Sequence, residues 1–153
     1  MSPRAACRLE TLGFGAVYDY VAGKADWLAA GLPSEGAEAR QTRAGAAADP
    51  DVMTCRLDDA LRDVARRLHA AGSDTAIVAN ADRVVLGRLR LGRFDESSTE
   101  PVGSAMEEGP STVRASEPLE DLRERMRVRG VTQVIVSAPG GELLGLLRRE
   151  QHA

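Results

Sequence analysis

Residues 54–90 read TCRLDDALRDVARRLHAAGSDTAIVANADRVVLGRLR, and residues 112–148 read TVRASEPLEDLRERMRVRGVTQVIVSAPGGELLGLLR. The second stretch repeats the first 58 residues later, without a gap and with twelve identities. Thr54, Arg56, Leu61, Asp63, Arg67, Gly72, Ile77, Val78, Leu86, Gly87, Leu89 and Arg90 recur as Thr112, Arg114, Leu119, Asp121, Arg125, Gly130, Ile135, Val136, Leu144, Gly145, Leu147 and Arg148. Twinned units of this size are expected to complete one core together. The cleft between them is then the natural place for a ligand.

Each unit carries the periodicities of a strand, a helix and two strands. Residues 54–57 are β-type, and Asp58 is placed to cap a helix whose Leu61, Val64, Ala65 and Leu68 fall on one face. Gly72 stops that helix, 75–79 forms a strand, 80–82 a turn and 83–89 the returning strand. In the second copy Ser116 is the expected cap, with Glu117 and Pro118 in the first turn. Leu119, Leu122 and Met126 make the stripe and Gly130 the stop, before strands at 131–136 and 142–147. Residues 91–100 read as a polar connection and 102–106 as a short helical turn.

The remaining third has another character. Residues 2–12 suggest a helix, 16–20 an apolar strand and 24–30 a short helix, a set too small to close a core. Residues 34–50 are rich in alanine, glycine and small polar residues with no periodic apolar face, and read as a linker. The expected division is 1–36, a linker at 37–50, a first unit at 51–98 and a second at 99–153.

Composition excludes several function classes. A net charge of −3 and 3% aromatic residues argue against nucleic-acid binding. No apolar run reaches the roughly 18 residues of a membrane span, and no signal pattern opens the chain. Cys7 and Cys55 lie far apart without metal-type spacing, which suits the cytoplasm. His69 and His152 have no ligand-spaced partners, so no metal site is expected. No Walker loop, dinucleotide fingerprint or Ser/His/Asp pattern is present, and no catalytic residue is assigned. Lys24 is the only lysine, so cationic chemistry falls to arginine, which grips phosphate bidentately.

The repeat resembles the cystathionine-β-synthase (CBS) domain through MTCRLDDAL and VVLGRLR in the first copy, and through Thr112-Val113, GVTQVIVSAPGGELLGLL and Gly145 in the second. That resemblance implies an α/β fold: two β-α-β-β-α units paired by pseudo-twofold symmetry, here behind a short helix-strand-helix extension. It also implies homodimers and a regulatory adenosine ligand in the inter-unit cleft, such as AMP, ADP, ATP or S-adenosylmethionine. Carried over residue by residue, the ligand-binding candidates are Thr54, Arg56, Ile77, Arg90 and Arg93 in one half, and Thr112, Arg114, Ile135 and Arg148 in the other. The family's closing signature places a hydroxyl where this chain has Arg90 and Arg148, and a ribose-binding acid where it has Arg93 and Gln151. These replacements remove the usual ribose acceptor and add positive charge near the cleft mouth.

Residues 2–36, SPRAACRLETLGFGAVYDYVAGKADWLAAGLPSEG, are similar to the end of a rhodanese-like domain. The matching features are the helix, the Gly13-Phe14 turn, the strand, and Gly23 with Trp27 ahead of Gly31-Leu32-Pro33. In that family the sulfur-carrying cysteine precedes this helix, whereas Cys7 falls within it and is expected as a small buried apolar residue. Trp27 is expected to pack under the strand. The function expected is a non-catalytic ligand-sensing module with a nucleotide or other anion as partner. The alternatives are a sulfurtransferase that begins upstream and is regulated by its pair, and a purely structural dimerisation module.

Overall fold

A computed structural model describes residues 3–18, 20–36 and 41–149. Ser2, Asp19, residues 37–40, Gln151 and His152, which carry sequence expectations, lie outside the described residues. In the first unit β1 (Thr54–Cys55) runs parallel to β2 (Thr75–Ala79), which pairs antiparallel with β3 (Val85–Arg90), and β3 in turn with β4 (Glu107–Glu108). The second unit repeats this as β5 (Thr112–Arg114), β6 (Gln133–Ser137) and β7 (Leu143–Arg148). Register repeats with it: Thr54 faces Ile77 as Thr112 faces Ile135, and both β2–β3 and β6–β7 slip at their twin positions, Val78/Ala79 and Val136/Ser137.

Both faces of each sheet are covered, and the two-residue period of the strand decides what covers them. Along β2, Ala76 and Val78 point to helix α4 (Leu61–Ala70), meeting Leu61, Val64 and Leu68. Ile77 points the other way, to Ile135, Leu143 and Leu146 of the second unit. The helix α5 (Leu119–Val128) covers β6 through Leu119, Leu122 and Met126. At the contact between units, Val85 N–H donates to the Gly141 carbonyl (3.1 Å) and Leu143 N–H to the Arg83 carbonyl (2.8 Å). The 58-residue offset exchanges these two bonds, so the pseudo-twofold axis passes between Val84 and Glu142. At this turn Arg83 and its twin Gly141 both have positive φ (61° and 93°), a geometry that costs arginine and not glycine.

The stretch read as a linker is built into the core from Thr42 onward. Helix α3 (Ala44–Ala47) seats Ala44, fully buried, among Ala115, Leu119 and Leu122 of the second unit. Ala44 N–H donates to Glu117 and Gly45 N–H to Ala115. The 3₁₀ turn Val102–Ser104 does the same for the first unit, with Val102 N–H on Asp59 and Gly103 N–H on Leu57. Thus each unit is capped by the leader that precedes the other one in sequence. The gap-free repeat therefore extends back to Thr42 and Glu100. Its only identities in that leader are Gly45/Gly103 and Ala47/Ala105, too few to see by eye.

Other expectations need correction. The two central helices begin at Leu61 and Leu119, with Ala60 and Pro118 at the cap positions, so neither Asp58 nor Ser116 caps them. Asp59 and Glu117 pair instead with Arg67 and Arg125. The trailing helix of the β-α-β-β-α unit is replaced after β3 by turns over 91–100. In the extension, α1 (Pro3–Thr11) and α2 (Gly23–Ala29) form, but the described residues of the expected strand, 16–18 and 20, form no strand. A strand needs a neighbour for its N–H and C=O groups, and none of the described strands lies alongside it. Cys7 on α1 is exposed and not buried as expected. Trp27 packs edge-to-face on Tyr20 at 5.2 Å and donates Nε1–H to the Pro33 carbonyl (2.8 Å). Ala29 of α2 rests against the second unit's core.

The leader's approach is so close that a Cβ on Gly145 would stand 2.4 Å from the Asp49 carbonyl oxygen. Gly145→Ala is therefore expected to push the leader off β7 and cost about 1–3 kcal/mol in urea unfolding. Gly103→Ala, whose Cβ would meet only ordinary contacts at 3.6 Å, should cost less than half as much.

Candidate functional site

The twin architecture gives each unit a parallel pair of strands joined by a helix, with a threonine opening the first strand and an arginine two residues on. Thr112 and Arg114 on β5 line a cavity of about 610 Å³ that Arg125 and Arg129 border from α5 and its end. Arg88 reaches in from β3 of the first unit, so this cavity lies between the units. A neighbouring cavity of about 310 Å³ shares Arg88, Val131 and Gln133 and adds Asp74, Thr75 and Arg90. Together they form one cleft with five arginines on its walls.

Two carboxylates hold three of those arginines. Glu107 Oε2 accepts from Arg88 Nε (3.1 Å) and Nη2 (2.6 Å), and from Arg90 Nη2 (3.1 Å). The hydrogen bond from Arg88 holds the Glu107 carboxyl below its ordinary 4.5, against partial burial and with Arg90 helping. Glu117 pairs with Arg125 and raises its pKa further. Arg90 Nε is buried without a hydrogen-bond partner among the described residues. Arg114 and Arg129 line the cleft with no ion-pair partner among the described residues.

The first unit's threonine and arginine sit elsewhere. Thr54 and Arg56 line a separate cavity of about 320 Å³ with Asp59, Arg67, Asn80, Arg83 and Leu143. Arg67 pairs with Asp59 at 2.6 Å, twin to the Arg125–Glu117 pair. Cys55 borders this cavity, but burial pushes its thiol up to about 11, with Asp59 adding and Arg67 opposing.

Of the residues singled out in the sequence, Thr112, Arg114 and Arg90 come together in the inter-unit cleft, and Thr54 with Arg56 in the other cavity. Ile77 and Ile135 are 0% and 1% exposed within the contact between sheets and line neither space. Arg93 lies exposed on the turn after β3, its N–H on the Arg90 carbonyl. Arg148 is exposed at the end of β7, opposite Gln133. Sequence reasoning missed Arg88, Arg125 and Arg129. Arg125 was visible as the twin of Arg67, whereas Arg88 and Arg129 differ between copies and leave no repeat signal.

Against known proteins, the CBS domain model matches residues 102–151. No curated protein matches the sequence significantly. Among solved structures, the cytosolic domain of the Mg2+ channel MgtE in complex with ATP superposes with a TM-score of 0.62 at 22% identity. That match covers 73% of this chain and 48% of the channel domain, so the chain spans about half its length. The CBS domains of a transcriptional regulator from Streptococcus pneumoniae match at 21% identity and TM-score 0.62, covering 70% and 92% of the two chains. CBSX2 in complex with AMP matches at 18% identity and TM-score 0.62, over 70% and 90%. The chain has the fold of a CBS pair, with the domain itself matched in its second half.

Two outcomes test the site's chemistry. Because Glu107 is bound more tightly as the carboxylate, its contribution to stability is complete above its ordinary 4.5 and is lost as pH falls below that value. Glu107→Gln should therefore flatten the acid limb of a Tm-against-pH curve and leave the shape above pH 6 unaltered. In native protein at pH 8 a thiol reagent should label exposed Cys7 promptly, and buried Cys55 only after denaturant is added.

Proposed function

We propose that this chain, folded as a CBS pair, is a non-catalytic regulatory module that senses an adenosine nucleotide or a related anionic metabolite between its units. The observation that carries this reading is the cleft itself: five arginines from both units meet there, and two of them have no carboxylate partner among the described residues. A ligand touching both units would act as a signal by favouring one relative placement over another. The structures with the same fold that carry ATP and AMP in their names support a nucleotide as the first ligand to try. Thr112 and Arg114, with Arg90 across the cleft, are the proposed contacts from the sequence set; Thr54 and Arg56 would serve a second space.

The units at 51–98 and 99–153 would pair further as a homodimer in the cytoplasm. Among the described residues no helix is long and apolar enough to cross a membrane. The N-terminal piece is read as a rhodanese-like fragment that reports through α3, since Ala29 and Ala44 pack into one cluster with the second unit's helix. The full chain, titrated calorimetrically with AMP, ADP, ATP and S-adenosylmethionine, should bind at least one in the micromolar range. An absence of heat together with no shift in Tm at millimolar ligand would remove the nucleotide-sensing reading and leave the fold untouched.

A further inference from the structure

We propose that the N-terminal piece is an interface between two copies of this chain, joined about a twofold axis through the apolar side chains of residues 12–32. Of residues 4–18, 20–36 and 41–43, none is buried, although α1 and α2 both lie among them. Among the described residues eight large apolar side chains are exposed, and six of them belong to this piece. They are Leu12, Phe14, Tyr18, Tyr20, Val21 and Leu32, with Tyr18 85% and Val21 94% exposed. Single apolar residues at a surface are ordinary, whereas this concentration marks a contact surface. The patch is tied across its length: the Tyr20 ring packs on Trp27, whose indole N–H reaches the Pro33 carbonyl beside Leu32. The other two exposed side chains, Leu57 and Val128, stand alone on the paired units.

Area, charge and backbone each select a second copy as the occupant. With about 150–250 Å² for a large side chain, the six leave on the order of 600 Å² per chain in water. Two such patches face to face bury about 1,200 Å² in total, where specific, stable contacts begin. The patch is therefore large enough when it meets itself, which is what a twofold axis arranges. Charge does not oppose that meeting: Arg4, Arg8 and Lys24 stand against Glu10, Asp19, Asp26 and Glu35. Such a balance neither repels a copy nor draws a strongly charged partner. Residues 15–18 have no strand beside them among the described residues, and an antiparallel copy of the same run would meet their N–H and C=O groups. The contact rests on the homodimer reading given above and deepens it, placing the dimer on the extension and away from α5.

Sedimentation equilibrium of the full chain, from about 1 to about 100 µM, reads the oligomer directly and should show a dimer that dissociates on dilution. Trp27 is the only tryptophan and packs on Tyr20 of the patch, so its emission should move to shorter wavelength over the same concentration range. Phe14→Glu and Val21→Glu should each weaken dimerisation about tenfold or more and remove that shift. Both side chains are exposed in the single chain, so each variant's Tm at the lowest concentration should stay within about two degrees of the parent. Val128→Glu, on α5, should leave the dimer unchanged. A parent that stays monomeric at about 100 µM would overturn this interface and the homodimer reading together, and would assign the patch to a different protein or segment. A dimer that survives both extension substitutions, or is lost with Val128→Glu, would overturn this interface alone and leave the homodimer reading in place. The nucleotide reading stands apart from either result and is decided by the calorimetric titration.

Discussion

The pairing of β3 and β7 turns across the pseudo-twofold axis is the constraint on which the rest of this molecule depends. Val85 and Leu143 exchange N–H donors with the carbonyls of Gly141 and Arg83, and this fixes register between two sheets that would otherwise slide on an apolar face. Ile77, Ile135, Leu143 and Leu146 lie behind that pair of bonds. Each sheet has one helix, which covers one face only. A lone unit would leave its isoleucine face in water, so the layered rule for domains is met only when the twins close on each other. Once they close, the cleft walls follow: β3 of one unit is brought against β5 and β6 of the other.

Closure also explains why the leaders are exchanged. The polypeptide enters the first unit beside β7 and enters the second beside β3, because the two sheets lie back to back and each free edge faces the other unit's incoming chain. Asp49 pairs with Leu146 as Glu107 pairs with Arg88, so one device ties the N-terminal piece to the second sheet and the connection to the first. Gly145 and Gly87 are glycine because the leader's backbone or the Met106 side chain passes where a Cβ would stand. The two central hydrogen bonds and the two exchanged leaders form one interlocked arrangement, in which Glu117, on the cleft wall, accepts the Ala44 N–H of α3.

Legibility in the sequence followed the physics of each element. The strand at 75–79 could be placed to the residue, because five consecutive apolar or β-branched residues between Asp74 and Asn80 leave little choice. Helix stripes were equally plain, since Leu61, Val64, Ala65 and Leu68 bury as a set. Helix starts were not, because Asp58 and Ser116 have the chemistry of caps while the neighbouring Asp59 and Glu117 are claimed by arginines eight residues on. The leader escaped notice because Ala44 is buried by where its backbone is tied and not by any apolar period. The apolar run at 16–20 read as a strand since local pattern carries no information about whether a partner strand exists. Thr112, Arg114 and Arg90 were reachable through the repeat, whereas Arg88 and Arg129 become visible only once the second unit is folded over the first.

That last contrast separates architecture from function more sharply than either copy could alone. Positions identical in both units, such as Ile77/Ile135, Gly87/Gly145 and Arg67/Arg125, sit in the sheet contact, under the leader or in the helix-side ion pair, and the twofold fold uses each of them twice. Positions that differ are under no such obligation. Arg88 could be leucine, as its twin is, and still occupy the same register on β3, so neither strand pairing nor packing demands a charge there. Its guanidinium is instead anchored by Glu107 and shares the cleft with Arg90, whose Nε is buried without a partner among the described residues. A desolvated donor left without an acceptor carries a cost, and an arginine turned inward where the other copy has leucine carries another. Both features fall on the same side of an otherwise symmetric molecule, in the cleft where ligand sensing is proposed.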